Sequence, residues 1–118
     1  GHLVWNAIQA GANLQEKGIS VEVINIHTIK PLDEEAVLAS IKKTKCAVTA
    51  EEHNIIGGLG DAIAQCASKN FPIPIEYVGT KDTFGESGKP TELLKKYGLD
   101  IPDIVAAAEK AINRKKNS

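Results

Sequence analysis

Three glycines at the predicted start of a helix, Gly57, Gly58 and Gly60, form the most suggestive local pattern in the sequence. Amides exposed at a helix N-terminus, together with the helix dipole, attract phosphate groups. The dinucleotide-binding fingerprint fails, however, because Ile63 stands where a third Gly or Ala is required. Two interpretations stay open: a phosphate-binding turn, or small residues that let the helix pack tightly on a sheet.

A cluster of titratable residues, Glu51, Glu52 and His53, follows a predicted strand. In open α/β sheets this is the side on which ligands bind. Because Glu52 and His53 are adjacent, each would tune the pKa of the other, which suits general acid–base catalysis. No nucleophile motif accompanies them. We therefore expect hydrogen bonds within the loop, or contacts with a partner, from these residues rather than catalysis.

Two further binding patterns fail on inspection. A metal site needs three or four converging ligands, whereas His27 and His53 each stand alone at a separate strand end. The pair Gly88-Lys89 resembles the end of a P-loop, but Pro90 replaces the required Ser or Thr, and Thr83 replaces the first glycine. We therefore predict no metal site and no P-loop.

Length and composition exclude several classes of protein. The chain of 118 residues fits one domain, and 42% hydrophobic with 25% charged residues is typical of a globular protein. The 14 Lys and Arg residues balance 15 Asp and Glu, which argues against a nucleic-acid-binding surface. No apolar run is long enough to span a membrane. Cys46 and Cys66 have no pairing pattern, so we expect a cytoplasmic protein.

Hydrophobic periodicity divides the chain into alternating helices and strands. Strands are predicted at residues 19–26, 46–50 and 71–78. Helices are predicted at residues 1–18, 33–44, 59–68, 90–98 and 102–112. Gly18 is placed to end the first helix, and Asp33 is placed to cap the second. This order predicts an α/β fold in three layers, α/β/α, with a mostly parallel sheet.

The predicted fold assigns positions to particular side chains. The parallel strands are expected to carry Val21, Val23, Val48, Ala50, Ile75 and Tyr77. Trp5 of the first helix and Ile112 of the last are expected to be largely buried. One domain is expected over residues 1–113, followed by a polar tail over residues 114–118.

Three stretches of sequence together resemble one enzyme family. They are residues 28–33 (TIKPLD), residues 51–54 (EEHN) with 57–62 (GGLGDA), and residues 87–94 (SGKPTELL) with 97–100 (YGLD). In this order and spacing they resemble the C-terminal domain of transketolase, over residues 1 to about 112. The first two stretches also suit the C-terminal domains of deoxyxylulose-phosphate synthase and of 2-oxoacid dehydrogenase β subunits. The third stretch favours transketolase.

The resemblance implies that the chain is part of a transferase. Transketolase, an enzyme of the pentose phosphate pathway, moves a two-carbon ketol unit from a ketose phosphate to an aldose phosphate, using thiamine diphosphate and Mg²⁺. In that family the cofactor lies between the pyrophosphate-binding and pyrimidine-binding domains of two subunits. These domains, in a homodimer, are the implied partners; nucleic acid and membrane are not.

For this chain itself the resemblance implies no catalytic residue, cofactor-binding residue or metal ligand. The C-terminal domain of the family supplies neither the glutamate that activates the thiazolium nor the metal-binding motif. Glu52, His53, Gly57, Gly58 and Gly60 match the family's motif beyond a strand end. The resemblance implies that they form a structural loop, or one that faces another domain or a ligand.

The resemblance also implies N-terminal strands that are absent here. In the family, residues resembling Gly1-His2 end a central strand that lies between the strands predicted at 19–26 and 46–50. An antiparallel edge strand precedes it. We expect the flanking strands to close up, another chain to insert a strand, or further residues to precede Gly1 in the natural polypeptide.

Two functions from other classes remain as alternatives. One is a regulatory module that binds a ligand through the amides of residues 57–60, and binding of phosphates or nucleotides would favour it. The other is a small hydrolase built on Glu52 and His53, for which no nucleophile with an oxyanion hole is visible.

Overall fold

The structure, a computed structural model, describes residues 2–26, 32–54, 58–80 and 100–117. The helices are α1 (His2–Glu16), α2 (Glu34–Thr44), α3 (Leu59–Asn70) and α4 (Ile101–Lys116), and the strands are β1 (Ala47–Asn54) and β2 (Ile75–Thr80). The helix predicted at residues 90–98 lies outside the described residues. No helix within the described ranges is long and apolar enough to cross a membrane.

Strands β1 and β2 form a parallel ladder joined by the crossover helix α3. Their register pairs Ala47 with Ile75, and continues in step to Glu51 opposite Gly79. The prediction that Val48, Ala50, Ile75 and Tyr77 lie on parallel strands is therefore confirmed. Strand β2 begins later than predicted because Pro72 and Pro74 cannot donate to a ladder.

Each face of the two strands packs against a pair of helices. Helices α1 and α4 cover one face with a cluster formed by Ala10, Leu14, Val78, Ile104 and Val105. Helices α2 and α3 cover the other face with a cluster formed by Val37, Ile41, Ile63, Cys66 and Ala67. Because successive strand residues point to opposite faces, Val78 of β2 belongs to the first cluster, whereas Ile75 of the same strand packs against the second. The predicted three-layer α/β/α fold is confirmed.

Two helix ends follow directly from residues in the sequence. Gly18 ends α1 with a φ of +84°, a left-handed conformation that glycine adopts without strain. Asp33 caps α2, because its Oδ1 accepts a hydrogen bond from the Ala36 amide at 3.1 Å. Leu32, just before this cap, packs against the cluster that contains Val37, as in a hydrophobic staple. Both predicted ends are confirmed.

The segment 19–26 is not the strand that the sequence predicts. It has no ladder partner among the described residues, so Val21 and Val23 do not lie on a parallel strand. Their side chains lie instead against α1, where a Cβ built on Gly11 would be 3.4 Å from Val21 and 3.3 Å from Val23. β-branched residues alone do not make a strand, because a strand requires a backbone partner about 5 Å away.

The predictions for the outer helices hold only in part. Trp5 is 59% exposed, so its predicted burial is wrong, whereas Ile112 is half-buried. Trp5 lies on the side of α1 that faces away from the cluster containing Ala10 and Leu14. At the other end of the chain, α4 continues to Lys116, and Arg114 pairs with Glu76 of β2.

The cap of α2 yields a prediction about stability. Asp33→Ala removes the acceptor for the Ala36 amide, and we expect it to lower the free energy of unfolding by about 1 kcal/mol. Asp33→Asn keeps a capping oxygen and serves as the matched control, with a smaller loss. Denaturant unfolding at pH 7 measures both values. Equal stability of Asp33→Ala and the wild type would show that the cap contributes nothing.

Candidate functional site

The predicted acid–base residues lie at the irregular end of β1. Glu51 pairs in register with Gly79, whereas Asn54 pairs with Thr80, so Glu52 and His53 are extra residues in a bulge. They therefore belong to the strand and not to a loop that follows it. A bulge bends a strand and re-aims its side chains, and such irregularities are common beside functional sites. The side chains of residues 52–54, and residues 55–57 altogether, lie outside the described part of the structure.

The start of α3 is held by a carboxylate from β1. Glu51 Oε1 accepts a hydrogen bond from the Leu59 amide at 2.6 Å, and Glu51 Oε2 accepts one from the Gly60 amide at 3.0 Å. Gly58 is the N-cap residue and has no side chain to offer these amides. Hydrogen bonds from amides to an ionised acceptor are short and strong, and the helix dipole strengthens them here. Glu51 therefore fastens the end of β1 to the beginning of α3.

This arrangement bears on the phosphate-binding interpretation of the glycine cluster. The amides of Leu59 and Gly60 already donate to Glu51, and a second carboxylate, Asp61, lies in the first turn of α3. A phosphate would have to displace one carboxylate and approach the other. The negative charges of a phosphate and of a neighbouring carboxylate repel each other, so the geometry disfavours an anion on these two amides.

Gly60 brings α3 into close contact with the sheet. A Cβ on Gly60 would lie 2.5 Å from two ring carbons of Tyr77, and 2.9 Å from Thr49 Oγ1. Thr49 and Tyr77 are opposite each other in the ladder, so both strands meet the helix at this point. Both distances are shorter than any ordinary van der Waals contact. The small-residue interpretation of the glycine cluster therefore has direct structural support at Gly60.

The electrostatics of this region favour a neutral phenol. Partial burial raises the pKa of Tyr77, and the negative charges of Asp61 and Glu51 raise it further. Two carboxylates and a neutral phenol give the described part of the site no positive charge to hold an anion. Within the described ranges, no group of three or more His, Cys, Asp or Glu side chains could hold a metal ion.

The role of Glu51 as a link between β1 and α3 was not predicted from the sequence. A signal was present, because side chains alternate along a strand and Glu51 shares the face of Thr49, which contacts α3. The alternation is broken after Glu51, because the register shift begins there. For locating the site, the alternation of side chains along the strand was therefore more informative than the adjacency of Glu52 and His53 in the sequence.

The contact at Gly60 predicts a sharp difference between two glycines. Gly60→Ala forces the new methyl group into the Tyr77 ring, and we expect a loss of about 1–3 kcal/mol in stability. Gly11 is also buried and helical, but a Cβ there meets only Val21 and Val23 at 3.3–3.4 Å. Because alanine favours helix, Gly11→Ala should be neutral or stabilising. Thermal unfolding of both variants checks this, and equal losses would contradict it.

The Glu51 contact predicts a local change that amide exchange can detect. Glu51→Gln replaces one accepting oxygen by an NH₂ group, which cannot accept from an amide. We expect hydrogen exchange to accelerate at Leu59 and Gly60, with a stability loss of about 1–3 kcal/mol. Glu35→Gln, on the exposed face of α2, removes the same charge and is the control. Unchanged exchange at both amides would refute the role given to Glu51.

Comparisons with known proteins agree with this architecture. The sequence pattern of the family described as "Transketolase, C-terminal domain" matches residues 1–104. A 6-deoxy-6-sulfo-D-fructose transketolase subunit from Clostridium sp. (strain MSTE9) is 48% identical over 98% of this chain and 36% of its own length. A 1-deoxy-D-xylulose-5-phosphate synthase from Geobacter sulfurreducens is 36% identical over 92% of this chain and 17% of its own.

A solved structure of a transketolase has the same fold as this chain. It is described as a split-gene transketolase in an inactive beta4 tetramer, and it superposes with a TM-score of 0.89 at 44% identity. The match covers 98% of this chain and 38% of that chain. The chain thus spans about a third of the length of the transketolase relatives it matches. Sequence motifs, the α/β/α layers and these comparisons together show that the chain belongs to the transketolase C-terminal domain family.

Proposed function

We propose that this chain is a structural and assembly domain, without catalytic residues, of a transketolase that transfers a two-carbon ketol unit between sugar phosphates. The observation that carries the proposal is the pair of hydrogen bonds that the Leu59 and Gly60 amides, at the start of α3, donate to Glu51. At the edge of the sheet where α/β proteins bind ligands, the amides of Leu59 and Gly60 donate to the chain's own carboxylate and not to an anion. This edge is therefore built for rigidity.

The residues around this contact are proposed to face another part of the enzyme. Glu52 and His53 follow Glu51 in the bulge, and Gly58 and Gly60 mark the start of α3. Glu51 joins these two elements by accepting hydrogen bonds from the Leu59 and Gly60 amides. Two elements held in a fixed relative position lose less entropy when they contact a neighbouring domain. Rigid presentation suits an interface better than proton transfer.

Thiamine diphosphate and Mg²⁺, the cofactors of the whole enzyme, do not fit the described residues of this domain. The pyrophosphate group would need positive charge or free amides, whereas Glu51 and Asp61 place negative charge at the start of α3. Mg²⁺ needs several converging oxygen ligands, and no such cluster occurs within the described ranges. We accordingly place cofactor binding in other domains of the enzyme.

The proposed partners are the pyrophosphate-binding and pyrimidine-binding domains of transketolase, within a homodimeric whole enzyme. Support comes from relatives named as transketolase subunits and from the structural neighbour's assembly as a tetramer. The proposed compartment is the cytoplasm, because Cys46 and Cys66 are free thiols. In the whole enzyme the proposed pathway is the pentose phosphate pathway.

A second candidate is the equivalent domain of a deoxyxylulose-phosphate synthase. The similarity to the Geobacter sulfurreducens enzyme supports it, at 36% identity against 48% for the transketolase subunit. Both candidates give this chain the same non-catalytic role. They differ in the substrates of the whole enzyme, which assays with sugar phosphates and with pyruvate would distinguish.

Kinetics of the assembled enzyme test the proposed role. If Glu52 or His53 transferred protons, Glu52→Gln and His53→Ala would lower the single-turnover rate by about 10²–10⁴. We expect rates within about threefold of the wild type at saturating subunit concentration. We expect weaker assembly, measured as the concentration of enzyme at half-maximal activity. A 100-fold loss that persists at saturation would overturn the proposal.

Calorimetric titration supplies an independent test. We expect no binding when thiamine diphosphate and Mg²⁺ are added to this chain, with circular dichroism confirming that it is folded. The assembled enzyme under the same conditions is the positive control. Binding to this chain at micromolar concentration, with one molecule per chain, would refute the placement of the cofactor elsewhere.

A further inference from the structure

The parallel register directs part of the β2 backbone away from β1. The Ala47 amide donates to the Pro74 carbonyl at 3.0 Å, and Ala47 lies opposite Ile75. In a parallel ladder the bonds from one residue reach the neighbours of the opposite residue, so they reach either side of Ile75 and not Ile75 itself. The amide and carbonyl groups of Ile75 and Tyr77 therefore point to the outer edge of β2. Such an edge is a template for pairing with another chain.

A side chain of α4 binds this edge at the first residue of β2. Arg114 Nη1 donates to the Ile75 carbonyl oxygen at 3.0 Å, and also donates to Glu76 Oε2. The Glu76 side chain is only 15% exposed, and its Oε1 lies 3.5 Å from Lys110 Nζ. The guanidinium thus occupies an outward carbonyl that an added strand would need as an acceptor. Glu76 holds the guanidinium there through a charge-assisted hydrogen bond.

The sequence around this contact acts in the same direction. Pro72 and Pro74 precede the strand and have no amide to donate to a neighbouring strand. Glu76 lies on the same face of β2 as Val78, which is buried in the cluster that α4 covers. Natural sheets avoid pairing along an edge by means of prolines, inward-pointing charged residues and short edge strands. All three features occur here, because β2 has only 6 residues.

We infer that Arg114 and Glu76 close the outer edge of β2 against the addition of another strand. Helix α4 then has a second role besides covering the sheet, because its last turn carries the group that caps the edge. The inference goes beyond the proposed assembly function, since it assigns a side of the domain at which no other chain extends the sheet.

A second ion pair of α4 shows what distinguishes the Arg114–Glu76 pair. Lys17 Nζ lies 3.6 Å from Glu109 Oε1, and these side chains are 54% and 50% exposed. This pair joins α4 to the end of α1 and not to a strand. Exposed ion pairs of this kind contribute little to stability. It therefore provides a matched control for loss of an ion pair as such.

Self-association of the natural full-length polypeptide tests the inference. The variant Glu76→Gln with Arg114→Ala removes one charge of each sign, so its net charge equals that of the wild type. We expect it to form assemblies larger than the native one at concentrations at least about tenfold below those that the wild type requires. The control, Glu109→Gln with Lys17→Ala, should stay within about threefold of the wild type. Analytical ultracentrifugation below the unfolding temperature measures both variants.

Amide hydrogen exchange locates the contact within the larger assemblies. We expect the outward-pointing amides of Ile75 and Tyr77 to become protected when a strand is added. The Glu76 and Val78 amides point toward β1 and should exchange as they do in the wild type. A measurement on the wild type alone adds a test that requires no variant. In the native enzyme the Tyr77 amide should exchange faster than the Val78 amide.

Three results would overturn the inference. Unchanged association of the Glu76 and Arg114 variant is the first, even if that variant unfolds at a lower temperature, since the pair would then serve stability alone. Association without protection at Ile75 and Tyr77 is the second, because the copies would meet elsewhere. The third is a wild type in which the Tyr77 amide exchanges as slowly as that of Val78, since a strand would already cover the edge.

Discussion

The close approach of α3 to the two strands depends on a single missing side chain. Gly60 leaves room for the Tyr77 ring and the Thr49 hydroxyl, so helix and ladder lie closer than any other residue would permit. Glu51 then joins the same two elements through the amides of Leu59 and Gly60. One contact is steric and the other electrostatic, and they act on the same turn of helix. The orientation of α3, and of the cluster it buries with α2, follows from them.

This arrangement has a direct consequence for function. In many α/β proteins a helix N-terminus at the carboxyl edge of the sheet binds a phosphate. Here the Leu59 and Gly60 amides donate to Glu51, so the N-terminus of α3 binds the end of β1 in the same chain. A domain held together in this way does not depend on a particular substrate for its rigidity. The similarity of this chain to both transketolase subunits and a deoxyxylulose-phosphate synthase is consistent with that use.

On the other side of the sheet, helix α1 is buried on one face and exposed on the other. Ala10 and Leu14 of α1 are buried against the strands and α4, whereas Trp5 and Ile8 remain exposed on the same helix. The segment 19–26 lies against α1 without a ladder partner in the described part of the chain. Apolar groups thus extend beyond what the described residues cover.

Much of the architecture was determined by the sequence alone. Hydrophobic periodicity predicted the four helices and the central part of both strands, because helices and strands repeat with different periods. Gly18 and Asp33 marked two helix ends, because a helix stop and a helix cap depend on local residues. The three stretches that resemble transketolase identified the family. Tertiary structure decided the rest. Whether residues 19–26 pair depends on a neighbouring backbone, and whether Trp5 is buried depends on which face of α1 meets α4. The role of Glu51 depends on the distance between a strand end and a helix start eight residues later, which no local pattern contains.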